Sequence, residues 1–104
     1  MSEETLKTIA TFYKFAEFPD FEEWKSKLKD WGKSNEILGT MILAHEGINA
    51  TISGPREGIE NFINLIREDV RFSDLSPRIA ESTRSTFYRL RIITRPEIVT
   101  LGDP

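Results

Sequence analysis

The chain has 104 residues, with 14 Lys+Arg against 17 Asp+Glu for a net charge of -3, and is 38% hydrophobic, 11% aromatic and 30% charged. That is the composition of one folded domain with an ordinary core, not of a disordered segment. With no cysteine and one histidine, a disulfide scaffold, a thiol nucleophile and a thiolate or His-rich metal site are excluded within these residues.

Residues 5–15 are β-branched and aromatic with partial alternation, which predicts a strand. Ile9, Thr11, Tyr13 and Phe15 share one face, with Ala10 and Phe12 on the other. The low polarity of both faces points to a central strand. Phe18-Pro19-Asp20 breaks it, and Asp20 with Glu23 forms a capping-box-like pair. Phe21, Trp24, Leu28 and Trp31 then make one helical stripe suited to core packing, and Gly32 is the expected stop. The lysines between 25 and 29 read as a solvated helix face.

Residues 37–44 predict a second strand and residues 48–53 a third, joined through His45-Glu46-Gly47 as a hairpin whose glycine takes positive φ. Gly54-Pro55 opens a second helix carrying the Ile59, Phe62, Ile63, Ile66 stripe, ending near Asp69. Residues 71–76 read as a loop. Residues 78–94 are strand-like, in two pieces broken around residues 82–85. In the second piece Tyr88, Leu90 and Ile92 share one face and Phe87, Arg89 and Arg91 the other. Residues 97–101 suit a further edge strand.

The order strand, helix, strand, strand, helix, strand predicts an α+β, ferredoxin-like (acylphosphatase-like) βαββαβ sandwich: a four-stranded antiparallel sheet with two helices on one face. The other face is left for solvent or a partner, and the fold does not fix a function. Acylphosphatase shares the topology, but its arginine-bearing glycine loop has no match in Lys14-Phe15-Ala16-Glu17-Phe18, so that activity is not expected. No apolar run approaches the ~20 residues of a membrane helix, and the polar, acidic N-terminus is unlike a signal peptide. The expectation is a cytoplasmic protein without membrane contact.

Charge is unevenly spread. Residues 1–70 hold 8 basic and 13 acidic side chains, residues 71–104 hold 6 basic and 4 acidic, and residues 78–95 have five arginines against Glu81 alone. Such a patch attracts phosphate even on an acidic chain. Arg84, Phe87, Arg89 and Arg91 are therefore candidate RNA-binding residues, since arginines alternating with an aromatic suit phosphate contact and base stacking. A merely solvated strand face explains the same pattern. His45, Glu46 and Asn49 offer acid–base or hydrogen-bonding groups at the hairpin, although a turn that needs only Gly47 explains that string as well. The start of the second helix, residues 54–58, lacks the rest of a phosphate-binding motif. No nucleophile–base pair, metal cluster or dinucleotide fingerprint is present, so neither a catalytic residue, a cofactor nor a metal is expected in this chain.

Three strings together carry a resemblance: Phe12-Tyr13-Lys14-Phe15, Leu43-Ala44-His45-Glu46-Gly47-Ile48-Asn49-Ala50-Thr51-Ile52-Ser53-Gly54, and Pro96-Glu97-Ile98-Val99-Thr100-Leu101-Gly102. The chain resembles the N-terminal domain of the rhodanese-related tRNA uridine hydroxylases of the TrhO type, over about residues 8–102. His45, Glu46, Gly47, Asn49 and Thr51 belong to the hairpin motif, and residues 69–75 also fit. Ala50 departs from the family's glycine, and His45 stands where the family often differs.

The resemblance implies residues 1–104 as one ferredoxin-like domain, a linker from about 102, and a downstream rhodanese domain holding the catalytic cysteine. It further implies a full-length oxidoreductase that hydroxylates wobble uridine 34 with oxygen. The partners it implies are tRNA and the chain's own C-terminal rhodanese domain. Two roles are open: a substrate-binding module, or a structural domain packed on the rhodanese domain without RNA contact.

Overall fold

The computed structural model describes residues 7–82 and 87–95. In chain order these form β1 (Lys7–Phe15), α1 (Phe21–Ser34), β2 (Leu38–Ala44), β3 (Gly47–Gly54), α2 (Arg56–Arg67), a 3-10 turn (Val70–Phe72), β4 (Arg78–Ser82) and β5 (Leu90–Thr94). No helix among them is long and apolar enough to cross a membrane.

The alternation in β1 buries Thr8, Ala10 and Phe12 and leaves Thr11, Tyr13 and Phe15 exposed. The inward residues join Met41, Leu43, Ile48, Ala50, Ile52 and Ile92 in one core with both helix stripes. Phe21, Trp24 and Leu28 of α1 and Ile59, Phe62, Ile63 and Ile66 of α2 are buried there, whereas Trp31 is only partly so. Phe72, in the segment read as a loop, is also fully buried, edge-on to Phe18 and Trp24.

The sheet has five strands, not four, and is mixed rather than antiparallel. Its order is β4-β1-β3-β2-β5, with β5 parallel to β2 and every other pair antiparallel. The two pieces of residues 78–94 are both strands, but they lie on opposite edges. Alternation gives a strand its faces, not its neighbour. β4 is exposed along nearly its whole length, so its pattern carries no pairing signal. Two further bonds lengthen the β2–β5 pairing: Gly39 N–H to the Arg89 carbonyl at 2.9 Å, and Arg95 N–H to the Leu43 carbonyl at 2.9 Å.

Three local expectations are corrected. Gly32 does not stop α1, which continues to Ser34; it is buried, and a Cβ there would run into Leu90 Cδ2. Asp20 stands at the N-cap but its side chain makes no capping hydrogen bond, because its carboxylate is turned to Trp24 and Arg71. Tyr88 does not share the inward face of Leu90 and Ile92; it precedes β5 and is 91% exposed. The edge strand expected at 97–101 and the linker from 102 lie outside the described residues.

Candidate functional site

Both helices cover one side of the sheet; among the described residues no element covers the other side around Thr11, Tyr13 and Phe15, which is open there, whereas Ser53 at its far end is buried. Register places one residue from each strand in a row across that open side. Arg78 stands opposite Thr11, Thr11 opposite Thr51, Thr51 opposite Thr40, and Thr40 opposite Arg91. With strands ~4.8 Å apart the row spans ~19 Å. Three hydroxyls lie between an arginine on each edge. The next row toward the hairpin reads Tyr13, Asn49, Ile42, Ile93. Tyr13 and Phe15 are half exposed, with their rings edge-to-face at 5.0 Å.

Arg78, Arg89, Arg91 and Arg95 are all exposed and make no ion pair with a described residue. Glu81, the one acid in that stretch of sequence, is instead approached by Arg56 at 3.7 Å. Among the described residues no acid neutralises the cationic patch. Arg91 projects from β5 opposite the buried Ile92, and Arg89 stands at the entrance to the same strand. Arg84 lies outside the described residues. Phe87 is half-buried and has an interaction of its own, and the solvent-facing ring beside Arg89 is Tyr88. The sequence reading missed Tyr88 because strict alternation from Ile92 put it inward.

The hairpin residues separate into two groups. His45 and Glu46 form the turn itself; their carbonyls accept the Phe18 and Ala16 N–H groups, both at 2.8 Å. Those two N–H groups are consequently not offered to an anion by the β1–α1 loop. The His45 ring lies edge-on to Phe21 at 4.8 Å, beside an open cavity of about 350 Å³ that Glu22, Thr94 and Arg95 also line. Gly47 has φ +143°, and a Cβ there would fall on the Lys14 carbonyl oxygen, so the turn requires glycine. Asn49 and Thr51 lie further along β3 on the open face, between β1 and β2.

A second charged centre escaped sequence reading. Arg71 donates to Asp20, Asp69 and the Glu17 carbonyl, and stacks its guanidinium 5.0 Å from the Phe18 ring. Hydrogen bonds from Arg71 hold the Asp20 carboxyl down at about 2 and lower that of Asp69 as well. This cluster ties the 3-10 turn to the start of α1. Its cation is fully engaged, so it is a structural clamp rather than a binding site.

Among the described residues no group of three His, Cys, Asp or Glu side chains is placed to hold a metal. What the open face and the β5 edge offer is binding: guanidinium groups for anions, hydroxyls for hydrogen bonds and exposed rings for stacking.

Solved structures share this frame. BlrB, a BLUF protein in its dark state, superposes with a TM-score of 0.67 at 18% identity, covering 90% of this chain and 76% of that one. The acylphosphatase from Bacillus subtilis gives 0.58 at 12% identity, covering 86% and 99%. Both likenesses concern the fold. Sequence relatives are closer. A tRNA uridine(34) hydroxylase of Picosynechococcus is 40% identical over 96 residues, and one of Albidiferax ferrireducens is 43% identical over 95. They cover 92% and 91% of this chain, which spans only 32% and 30% of their lengths. A family model described as the UPF0176 acylphosphatase-like domain matches residues 7–98, and the chain belongs to that family, as its N-terminal acylphosphatase-like domain.

Proposed function

We propose that this domain is the substrate-binding part of a tRNA uridine(34) hydroxylase, and that it holds the tRNA through the β5 edge and the adjoining open face. The observation that carries the reading is the row of exposed cations at that edge, Arg89, Arg91 and Arg95, none of them ion-paired to a described residue, with Tyr88 exposed beside Arg89. Phosphate contacts position an RNA, and an exposed ring stacks an unpaired base of a loop. Arg84 belongs to the same stretch of sequence and joins the proposed contact. The relatives' name supplies the substrate class; the chemistry itself falls to a downstream rhodanese domain, since this chain has no cysteine.

A second reading has its own support. Tyr13 and Phe15, at 52% and 53% exposed, form an apolar step at the hairpin end of the open face, on β1 and so three strands away from β5. Such a patch suits packing against another domain. In that reading the domain shapes the cleft without touching RNA.

Charge reversal separates the two. Arg89→Glu combined with Arg91→Glu is expected to abolish binding of a tRNA anticodon stem-loop while leaving the thermal midpoint within a degree or two, because both side chains are exposed. Unchanged RNA affinity in that variant would transfer the role to the structural reading.

A further inference from the structure

One cavity lies apart from the open face. It holds about 400 Å³ between the C-terminal turn of α1 and the starts of β2 and β5, and is lined by Lys7, Lys29, Gly32, Lys33, Glu36 and Leu90 among others. Lys29 and Lys33, one helical turn apart, present their charges on one side of α1. Lys7 enters from β1. None of the three lysines makes an ion pair or a side-chain hydrogen bond with a described residue.

The bland account is that these lysines complement the helix C-terminus. The Trp31, Gly32 and Lys33 carbonyls there already have backbone partners. Asn35 N–H reaches the Trp31 and Gly32 carbonyls at 3.1 and 3.2 Å, Glu36 N–H the Lys33 carbonyl at 3.3 Å, and Ile37 N–H the Gly32 carbonyl at 2.9 Å. Asn35 Nδ2 adds a bond of 2.8 Å to Trp31 O. The ammonium groups are therefore left for something else. Three like charges around one concavity raise the local potential and favour an anion there. Glu36 on the rim opposes them and weakens the site without cancelling it.

The position matters. Leu90 lines the cavity, and it is flanked in sequence by Arg89 and Arg91. Lysines and arginines thus follow one another around the β5 edge.

We propose that the cavity lined by Lys7, Lys29 and Lys33 is a phosphate-binding site, filled by a backbone phosphate of the RNA held at the β5 edge. The proposal rests on the RNA reading above. It extends the footprint from the sheet onto the end of α1. A phosphate of a small free compound has the same chemistry, and the test distinguishes the two sources.

The 104-residue chain, unaltered or carrying Lys29→Gln and Lys33→Gln, is titrated with an anticodon stem-loop at several salt concentrations, and separately with inorganic phosphate while amide resonances are followed. For an RNA phosphate, the double variant loses about tenfold in stem-loop affinity at low salt, and the slope of log affinity against log salt falls by about one. Glu36→Gln tightens binding. For a small phosphorylated compound, inorganic phosphate moves the Gly32, Lys33 and Leu90 amides saturably in the unaltered chain only, while stem-loop binding is absent or indifferent to the lysines. The site then stands although the RNA reading fails or is confined to the arginines. If neither stem-loop affinity nor phosphate response depends on Lys29 and Lys33, the site does not exist, even where Arg89 and Arg91 bind RNA.

Discussion

Arg71 grips both carboxylate oxygens of Asp20, with Nη1 2.7 Å from Oδ1 and Nη2 3.2 Å from Oδ2, across 51 positions of sequence. The same guanidinium holds Asp69, at 2.8 Å from Nη2 to Oδ2. One planar fork thus fastens the turn after α2 to the turn before α1. Because those turns bracket the two helices, the clamp fixes how the helical layer sits on the sheet. A lysine has one charge centre and cannot reproduce the forked geometry.

The clamp makes stability acid-sensitive. The Asp20 carboxyl titrates at about 2 in the fold, against 3.8 ordinarily. Its contribution is complete above about pH 4 and is lost as pH falls toward 2, where the folded form also takes up the proton. Asp69 shifts in the same direction. By linkage a shift of this size is worth about 2 kcal/mol, reduced to about 1 kcal/mol by solvent screening, since the Asp20 side chain is 36% exposed. Asp20→Asn should lower stability by that amount at pH 7 and flatten its decline between pH 4 and 2. Urea denaturation at a series of pH values checks both; parallel curves for the two proteins would contradict the clamp.

Two helical glycines should respond differently to alanine. A Cβ at Gly32 meets the tip of the Leu90 side chain, which borders an open cavity and can swing aside. The rotamer cost of about 1 kcal/mol is offset by a similar gain in helix propensity, so Gly32→Ala should be nearly neutral. At Gly58 a Cβ would strike the backbone carbonyl oxygen of Asn35, which cannot move without the chain. Gly58→Ala should cost about 1–3 kcal/mol despite the same propensity gain. Thermal denaturation of the two variants decides it, and equal midpoints would contradict the packing.

Tyr88 supplies the test of stacking. At 91% exposure it contributes little to the fold, so Tyr88→Ala should change stability by less than about 0.5 kcal/mol. A base stacked on its ring is worth about 1–3 kcal/mol, a loss of about 5- to 150-fold in affinity when the ring is removed. Fluorescence anisotropy with a labelled stem-loop measures it. Unaltered affinity would remove Tyr88 from the interface and leave the arginines alone.

The layers of this fold were legible because their periodicities are clean. Ala10 and Phe12 against Thr11 and Tyr13, and the Ile59, Phe62, Ile63, Ile66 stripe, each fix a buried side without outside help. The positions of β4 and β5 were not, since Ile79 and Arg78 are both exposed and nothing local says that one piece joins β1 and the other β2. The candidate site followed the same division. The exposure of Arg89 and Arg91 follows the charge and alternation pattern, and Asn49 and Thr51 are named by the hairpin motif. That Thr51 lies in a row with Arg78 and Arg91 depends on sheet register. Lys29 reads as part of a solvated face, and Lys33 draws no reading at all, because Lys7, the third side of their cavity, is distant in sequence. Arg71 was invisible as a clamp for the same reason.

The measurement that tests the account most directly is a titration of an anticodon stem-loop into the isotope-labelled chain, with amide shifts followed at low and at raised salt. The account predicts shifts concentrated at residues 87–95 and the facing β2 positions Gly39, Thr40 and Met41, weakening steeply as salt rises. Shifts confined to the α2 side, or none at low salt, would contradict it.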